Sequence, residues 1–358
     1  MNKNLSNTQM LKKALLFFAV VILLTACQQK PDYLTKLTDE VRVKNMLDAR
    51  WGMFLHFSLG TFSNQEWTQG ITDPAFFNPK QINTDQWCEV AKDAGMGYII
   101  LVAKHHDGFC LWDTKTTEFK TTNSALKKDV IAELRKSCDK YGIKLCLYFS
   151  EADWTWKDFK NPEMKREQLT ELVSNYGEIA LIWLDVAQWD GGLDHRETEA
   201  IIRKYQPNCF IGVNHGRPVG DLQSREMGAP LPLEKVTVEP LPENVVDSLV
   251  TLNEKYVMDL NWVEAAKIEK VLYEHYPNYL LAESAICMNQ KDGKWYWFYN
   301  TETVDNAIPA NQIYDIYKQA VQNRVLFSLA MGPDRNGEIK PVDVLRLKEV
   351  SRKIMGIN

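Results

Sequence analysis

Short apolar runs alternate with segments of helical periodicity along most of the chain, and this alternation limits the fold more than any other feature. Residues 53–57, 98–103, 145–149, 179–184 and 209–213 read as strands. Between them, Trp87, Val90, Ala91 and Ala94 recur at i, i+3, i+4 and i+7 and stop at Gly95, the pattern of a one-sided helix. Ile131, Leu134, Cys138 and Tyr141 repeat it before Gly142, and Leu169, Leu172, Val173 and Tyr176 before Gly177. Asn161-Pro162 supplies a side-chain cap and a proline at the first helical position. The run 98–103 carries no polar alternation, so both of its faces are expected to be covered, as in a parallel sheet. Strands follow again at 280–287 and 325–330, and Val344, Leu347, Val350 and Ile354 mark a last helix.

Strand followed by helix, repeated, specifies an α/β fold with parallel strands. Roughly eight such steps fit between residues 41 and 358, which makes a (β/α)8-like, TIM-type barrel the expected architecture, as one catalytic domain. A length of 358 residues would otherwise suggest two domains. The repeat blurs over 218–279, where residues 218–242 hold five prolines in 25 positions and a helix follows at 262–273. This stretch is expected to be an irregular excursion.

The first 26 residues stand apart. Lys3, Lys12 and Lys13 precede an eleven-residue apolar run, 14–24, too short to span a bilayer comfortably and suited to a signal h-region. Leu24-Thr25-Ala26-Cys27 follows and resembles a bacterial lipobox. The expectation is therefore an exported lipoprotein, acylated at Cys27, tethered by residues 27–40, and facing the periplasm or the cell surface. Loss of the three lysines takes the net charge from −5 to −8. A nucleic-acid partner is excluded on that ground, because phosphate binding needs a basic face. The remaining cysteines, Cys88, Cys110, Cys138, Cys146, Cys209 and Cys287, show no C-x-x-C metal spacing, and those on apolar faces read as buried thiols.

In a parallel barrel the chemistry sits where strands end and loops begin. His56 ends the first strand, Lys104-His105-His106-Asp107-Gly108 follow the second, Asp185 ends the fourth and Glu283 lies in a late one. Converging carboxylates suit glycosidic cleavage, one attacking and the other moving the leaving-group proton. Histidines and tryptophans suit a sugar, which presents hydroxyls at its edge and C–H groups on its faces. Adjacent strand residues point to opposite sides, so His105 and His106 are poorly arranged to share an ion. Neither a metal nor an organic cofactor is expected.

Several of these segments carry a resemblance. Trp51-Gly52-Met53-Phe54-Leu55-His56-Phe57-Ser58, Glu66-Trp67, Ala103-Lys104-His105-His106-Asp107-Gly108-Phe109-Cys110-Leu111-Trp112-Asp113 and Trp183-Leu184-Asp185 resemble the α-L-fucosidases of glycoside hydrolase family 29, as do Leu281-Ala282-Glu283-Ser284 and the run from Val325 to Pro333 with Asn336-Gly337. The resemblance implies a barrel and a retaining double displacement. It makes Asp185 the nucleophile and Glu283 the acid/base. His56, Glu66, Trp67, His105, His106 and Trp183 match positions lining a fucose pocket, Arg217 matches a pocket arginine, and Trp297 or Phe298 an apolar wall under the C5 methyl.

Rivals are present for both carboxylates: Asp190 for Asp185, and Glu226 or Glu243 for Glu283. Trp51, Trp87 and Trp112 are expected in the core, while Trp154 and Trp156 are candidates for the pocket mouth. Relatives usually place glycine after the aspartate where Val186 stands here, and the many relatives with a β-sandwich after the barrel have no counterpart to it expected here. The implied activity is release of terminal α-L-fucose from fucosylated glycans. An α-L-galactosidase of the same mechanism and a catalytically degenerate sugar-binding lipoprotein are the alternatives.

Overall fold

The computed structural model describes residues 32–187, 189–234 and 236–357. The signal segment 1–26 and the lipobox Cys27 lie outside the described residues. Eight strands, β1 (Trp51–Leu55), β2 (Tyr98–Lys104), β3 (Lys144–Ser150), β4 (Leu181–Asp185), β5 (Phe210–Asn214), β6 (Leu222–Glu226), β7 (Leu281–Cys287) and β10 (Leu326–Met331), close into one barrel. The order around it is β1-β10-β7-β6-β5-β4-β3-β2, and every pairing is parallel. This is the barrel expected from the alternation. A short antiparallel hairpin, β8 (Asn289–Lys291) and β9 (Lys294–Tyr296), follows β7.

Among the described residues, ten α-helices accompany the strands: α1 (Asp39–Leu47), α2 (Leu59–Ser63), α3 (Thr84–Asp93), α4 (Val130–Tyr141), α5 (Pro162–Asn175), α6 (His195–Tyr205), α7 (Glu243–Met258), α8 (Trp262–Glu274), α9 (Ala310–Asn323) and α10 (Pro341–Ile354). Asn83, Asp129, Asn161 and Asp194 cap α3, α4, α5 and α6, each accepting a backbone N–H from the first turn. Gly142 closes α4 in the left-handed region, φ 72°.

Alternation along each strand sorts side chains between two cores. Leu145, Leu147 and Phe149 of β3 pack outward against the helices, while Cys146 and Tyr148 join Phe54, Tyr98, Ile100, Val102, Leu181, Trp183 and Leu326 inside the barrel. Gly52 is required there, because a Cβ on it would stand 2.2 Å from the Tyr98 ring. Trp51, Trp87 and Trp112 are core residues, and the six described cysteines are buried free thiols.

The stretch 218–279 is more ordered than its prolines suggest. It contributes β6 and a hairpin of two helices, α7 and α8, joined by Asp259–Asn261 and tied by Asn253 Nδ2 donating to the Ala265 carbonyl at 3.0 Å. β6 escapes a search for apolar runs because it reads Leu-Gln-Ser-Arg-Glu, with only Leu222 and Ser224 fully buried. The described part of the expected tether is held against the barrel: Asn208 Oδ1 accepts from Leu37 N–H, and Asn208 Nδ2 donates to the Tyr33 and Thr35 carbonyls, all at 2.8–2.9 Å. Asn208 precedes β5, so this attachment is on the face opposite the strand C-termini.

Candidate active site

Asp185 is the last residue of β4, in register with Ser150 of β3 and Asn214 of β5. Its carboxylate is fixed from three sides. Tyr148 donates its hydroxyl to Oδ2 at 2.6 Å, while Asn214 Nδ2 and the Val186 N–H donate to Oδ1 at 2.9 Å each. His106 Nε2 lies 3.6 Å from Oδ2. Val186 achieves its contact in the left-handed region, φ 52°, where a β-branched residue is an outlier and glycine is at ease.

Glu226, the last residue of β6, is the carboxylate beside Asp185. The Asn214 amide spans the two, donating to Glu226 Oε2 at 2.6 Å as well as to Asp185. His215, one residue past β5, places Nε2 3.3 Å from Glu226 Oε2. One polar atom each from Asp185, His215 and Glu226 lie within 4.8 Å of one another. Burial opposes charge on the His215 ring, but its hydrogen bonds to Glu226 and Glu269 and their negative charges outweigh this and raise its pKa well above the usual range. Burial likewise works against ionised Glu226, and the His215 and Asn214 contacts overcome it, holding its pKa low. The His215 ring thus sits between two carboxylates, with Glu226 at Nε2 and Glu269 at Nδ1.

His56, His105 and His106 gather on the other side of Asp185. The sequence places the adjacent pair on a strand facing opposite ways, but β2 ends at Lys104, so both histidines fall on the turn with ring centroids 4.2 Å apart. His105 stacks on Tyr148 at 5.8 Å, and His106 Nδ1 meets Ser150 Oγ at 2.6 Å. Burial lowers all three pKa values, His56 to about 3, so the rings are neutral. Nδ1 of His56 and of His105 is buried without a protein partner, a situation that a ligand hydroxyl would relieve. Trp297 lies 5.0 Å and Phe298 5.3 Å from the His56 ring, so both flank the pocket. Glu66 accepts the Trp297 N–H at 2.9 Å, and burial raises its pKa to about 7. Trp67 is 66% exposed and shares a shallow hollow with Gln65, Gln69 and Trp154. Trp154 packs on His106 at 5.5 Å, so this hollow opens beside the pocket.

Two expected site residues are placed elsewhere. Glu283 is the third residue of β7, in register with Ser224 rather than with Glu226. That puts it about one side-chain layer, roughly 6–7 Å, deeper in the barrel. It is 0% exposed, accepts from Trp183 Nε1 at 2.6 Å and from Ser328 Oγ, and burial raises its pKa to about 7. Arg217 commits its guanidinium to Glu243, at 3.1 Å, and Asp247, both on α7. The positive group beside the carboxylates is His215. Of the rivals, Glu243 is occupied by Arg217, and Asp190 accepts the Gly192 N–H in a tight turn at 2.8 Å. No motif in the sequence singles out Tyr148, Asn214 or His215, although Cys146, Tyr148 and Ser150 alternate on one strand face and so mark Tyr148 as inward.

The closed parallel barrel thus carries two adjacent carboxylates at its strand C-termini, beside a pocket of histidines and aromatic rings. The sequence model of the α-L-fucosidase family matches residues 72–356, and the chain belongs to that family. It is 31% identical over 315 residues to α-L-fucosidase 1 of Arabidopsis thaliana, covering 84% of this chain and 56% of that protein. The chain thus spans little more than half the length of that relative. A solved glycoside hydrolase 29 family member from a rumen bacterium superposes with a TM-score of 0.69 at 28% identity, over 89% of this chain and 57% of that one. An α-L-fucosidase of Lactobacillus casei shares the fold at 20% identity, with a TM-score of 0.63 over 88% of this chain and 98% of its own.

Proposed function

We propose that the protein is a retaining exo-α-L-fucosidase acting on terminal fucose of fucosylated glycans, with Asp185 as nucleophile and Glu226 as acid/base. The observation that carries this reading is the pairing of those two carboxylates, with polar atoms within 4.8 Å of each other and one amide between them. Retaining enzymes hold their carboxyl groups about 5–5.5 Å apart, whereas inverting ones leave room for a water. Asp185 attacks the anomeric carbon as the glycosidic C–O bond breaks and Glu226 protonates the departing oxygen. In the second half, Glu226 takes a proton from water, whose oxygen bonds to the anomeric carbon and displaces Asp185.

Glu226 is half-buried, so leaving group and water can both reach it; fully enclosed Glu283 instead fixes Trp183 as a pocket wall. His56 and His105 orient the sugar hydroxyls, and Trp297 with Phe298 covers the apolar edge. In the same reading the chain is exported and anchored through Cys27. Residues 33–37 bind the face opposite the strand C-termini, which would turn the pocket away from the membrane.

Hydrolysis of 4-nitrophenyl α-L-fucoside tests the assignment. Wild type should release α-fucose first, as seen by NMR before mutarotation, and Asp185→Asn should lose at least about 10³-fold in kcat/KM. β-Fucose as first product, or turnover surviving Asp185→Asn, would overturn it. Retention of Cys27→Ala in the membrane fraction at the wild-type level would remove the anchor.

A further inference from the structure

The inserted hairpin sends one acidic side chain to the site. Glu269 of α8 presents Oε1 and Oε2 at 3.3 and 3.4 Å to Nδ1 of His215, whose Nε2 faces Glu226 at 3.3 Å. Glu269 Oε1 also receives the Gly216 N–H and Asn253 Nδ2, each at 3.4 Å. His215 itself is in the left-handed region, φ 61°, followed by Gly216 at φ 80°. A non-glycine residue stays in such a conformation only where its surroundings over-determine it, and here both ring nitrogens are engaged by carboxylates. We infer that Glu269 is a positioning residue for the reaction, holding His215 so that Nε2 exchanges a proton with Glu226. The inference rests on the assignment of Glu226 proposed above.

The need for such a group follows from the proton balance. Glu226 must be an acid in the first half-reaction, yet its contacts favour the carboxylate. With a proton held on His215, the two conflicts resolve together: Nε2 gives its proton to Glu226, Glu226 passes a proton on to the leaving oxygen, and the pair is left as a carboxylate beside a neutral imidazole. In the second half-reaction water protonates Glu226 and Nε2 recovers its proton. Glu269 keeps its charge throughout and fixes the tautomer, with the Nδ1–H directed at it. The charged and titratable groups around His215 are Glu226 from β6, Glu269 from α8, Asp185 from β4, neutral His106 after β2, and the neutral phenol Tyr273 from α8.

The alkaline limb of the pH profile then belongs to the His215–Glu226 pair rather than to one residue. Removing the Glu269 charge destabilises the imidazolium, so the proton is lost at lower pH. For Glu269→Gln, kcat/KM on 4-methoxyphenyl α-L-fucoside, a poor leaving group, should show that limb moved down by about one to three pH units. The loss should be larger at pH 8 than at pH 5, and smaller at both for the 2,4-dinitrophenyl fucoside, which needs little acid assistance. Asn253→Ala should move the limb in the same direction by less. A limb coincident with wild type in both variants, with only thermal stability lowered, would reduce Glu269 to a structural contact and overturn the inference. Glu226→Gln run in parallel separates the two readings. If it behaves as wild type on the methoxyphenyl substrate, the acid/base assignment fails; if it is inactive while Glu269→Gln is unshifted, only the inference fails.

Discussion

Replacing Glu283 by glutamine should make the protein more tolerant of alkaline pH. The side chain has no exposed surface and accepts from Trp183 and Ser328 inside the barrel. Burial raises its pKa from the ordinary 4.5 to about 7. The folded state therefore holds this proton more tightly than the unfolded chain does. Between pH 4.5 and 7 the unfolded state binds fewer protons, so stability falls as pH rises, and the fall is complete above the folded-state value. A difference of about 2.5 units at 1.36 kcal/mol each gives a penalty of roughly 3 kcal/mol at pH 8 relative to pH 4. Glutamine keeps the shape and an acceptor oxygen and has no proton to lose. Urea unfolding of wild type and Glu283→Gln at pH 4.5, 6 and 8 should give curves that converge in acid and separate with rising pH in favour of the variant, by about 2–3 kcal/mol. Parallel pH dependences would refute the reasoning, since they would mean that Glu283 is ionised and solvated in the folded protein and is free to serve as the acid/base.

Two further outcomes follow from the geometry. Val186 lies in the left-handed region at φ 52°, which costs a side-chain-bearing residue about 1–2 kcal/mol, while glycine gives back about 0.5–1 through its freer unfolded chain. Val186→Gly should thus gain roughly 0.5–1 kcal/mol in urea unfolding, and a loss of that size would show that packing by the isopropyl group outweighs the strain. Trp154 borders the hollow beside Trp67 and lies outside the carboxylate pair. Trp154→Ala should raise KM for a fucosylated oligosaccharide about fivefold, equivalent to about 1 kcal/mol of aromatic contact, and change KM for an aryl fucoside much less; equal effects on both would place this ring against the fucose itself.

What the sequence reveals is set by how each residue is positioned. Asp185 and the three histidines end or directly follow strongly apolar strands, so the barrel rule points to them at once. Glu283 has the same apolar context and invites the same reading, but it lies mid-strand in β7 rather than at its end. A mid-strand side chain belongs to the barrel's inner layers, and that position was the available warning. Glu226 ends a strand that is mostly polar and follows a proline, so its strand is hidden although the residue stands out as a rival acid. Arg217 is singled out by the family resemblance alone, yet the left-handed pair His215 and Gly216 redirects the chain, and no local pattern encodes that turn. Glu269 is 54 residues from His215, on a helix whose docking only the folded barrel defines.

The pairing of Asp185 with Glu226 is tested most directly by azide rescue of Glu226→Gln with 2,4-dinitrophenyl α-L-fucoside, the product followed by NMR. This substrate forms the fucosyl-enzyme without acid assistance, after which the variant lacks the base that activates water. Azide needs no base and attacks the Asp185 ester from the face that water would use. The account predicts slow turnover that azide restores, with α-L-fucosyl azide as product. Wild-type turnover by Glu226→Gln without azide, together with azide rescue of Glu283→Gln instead, would contradict it.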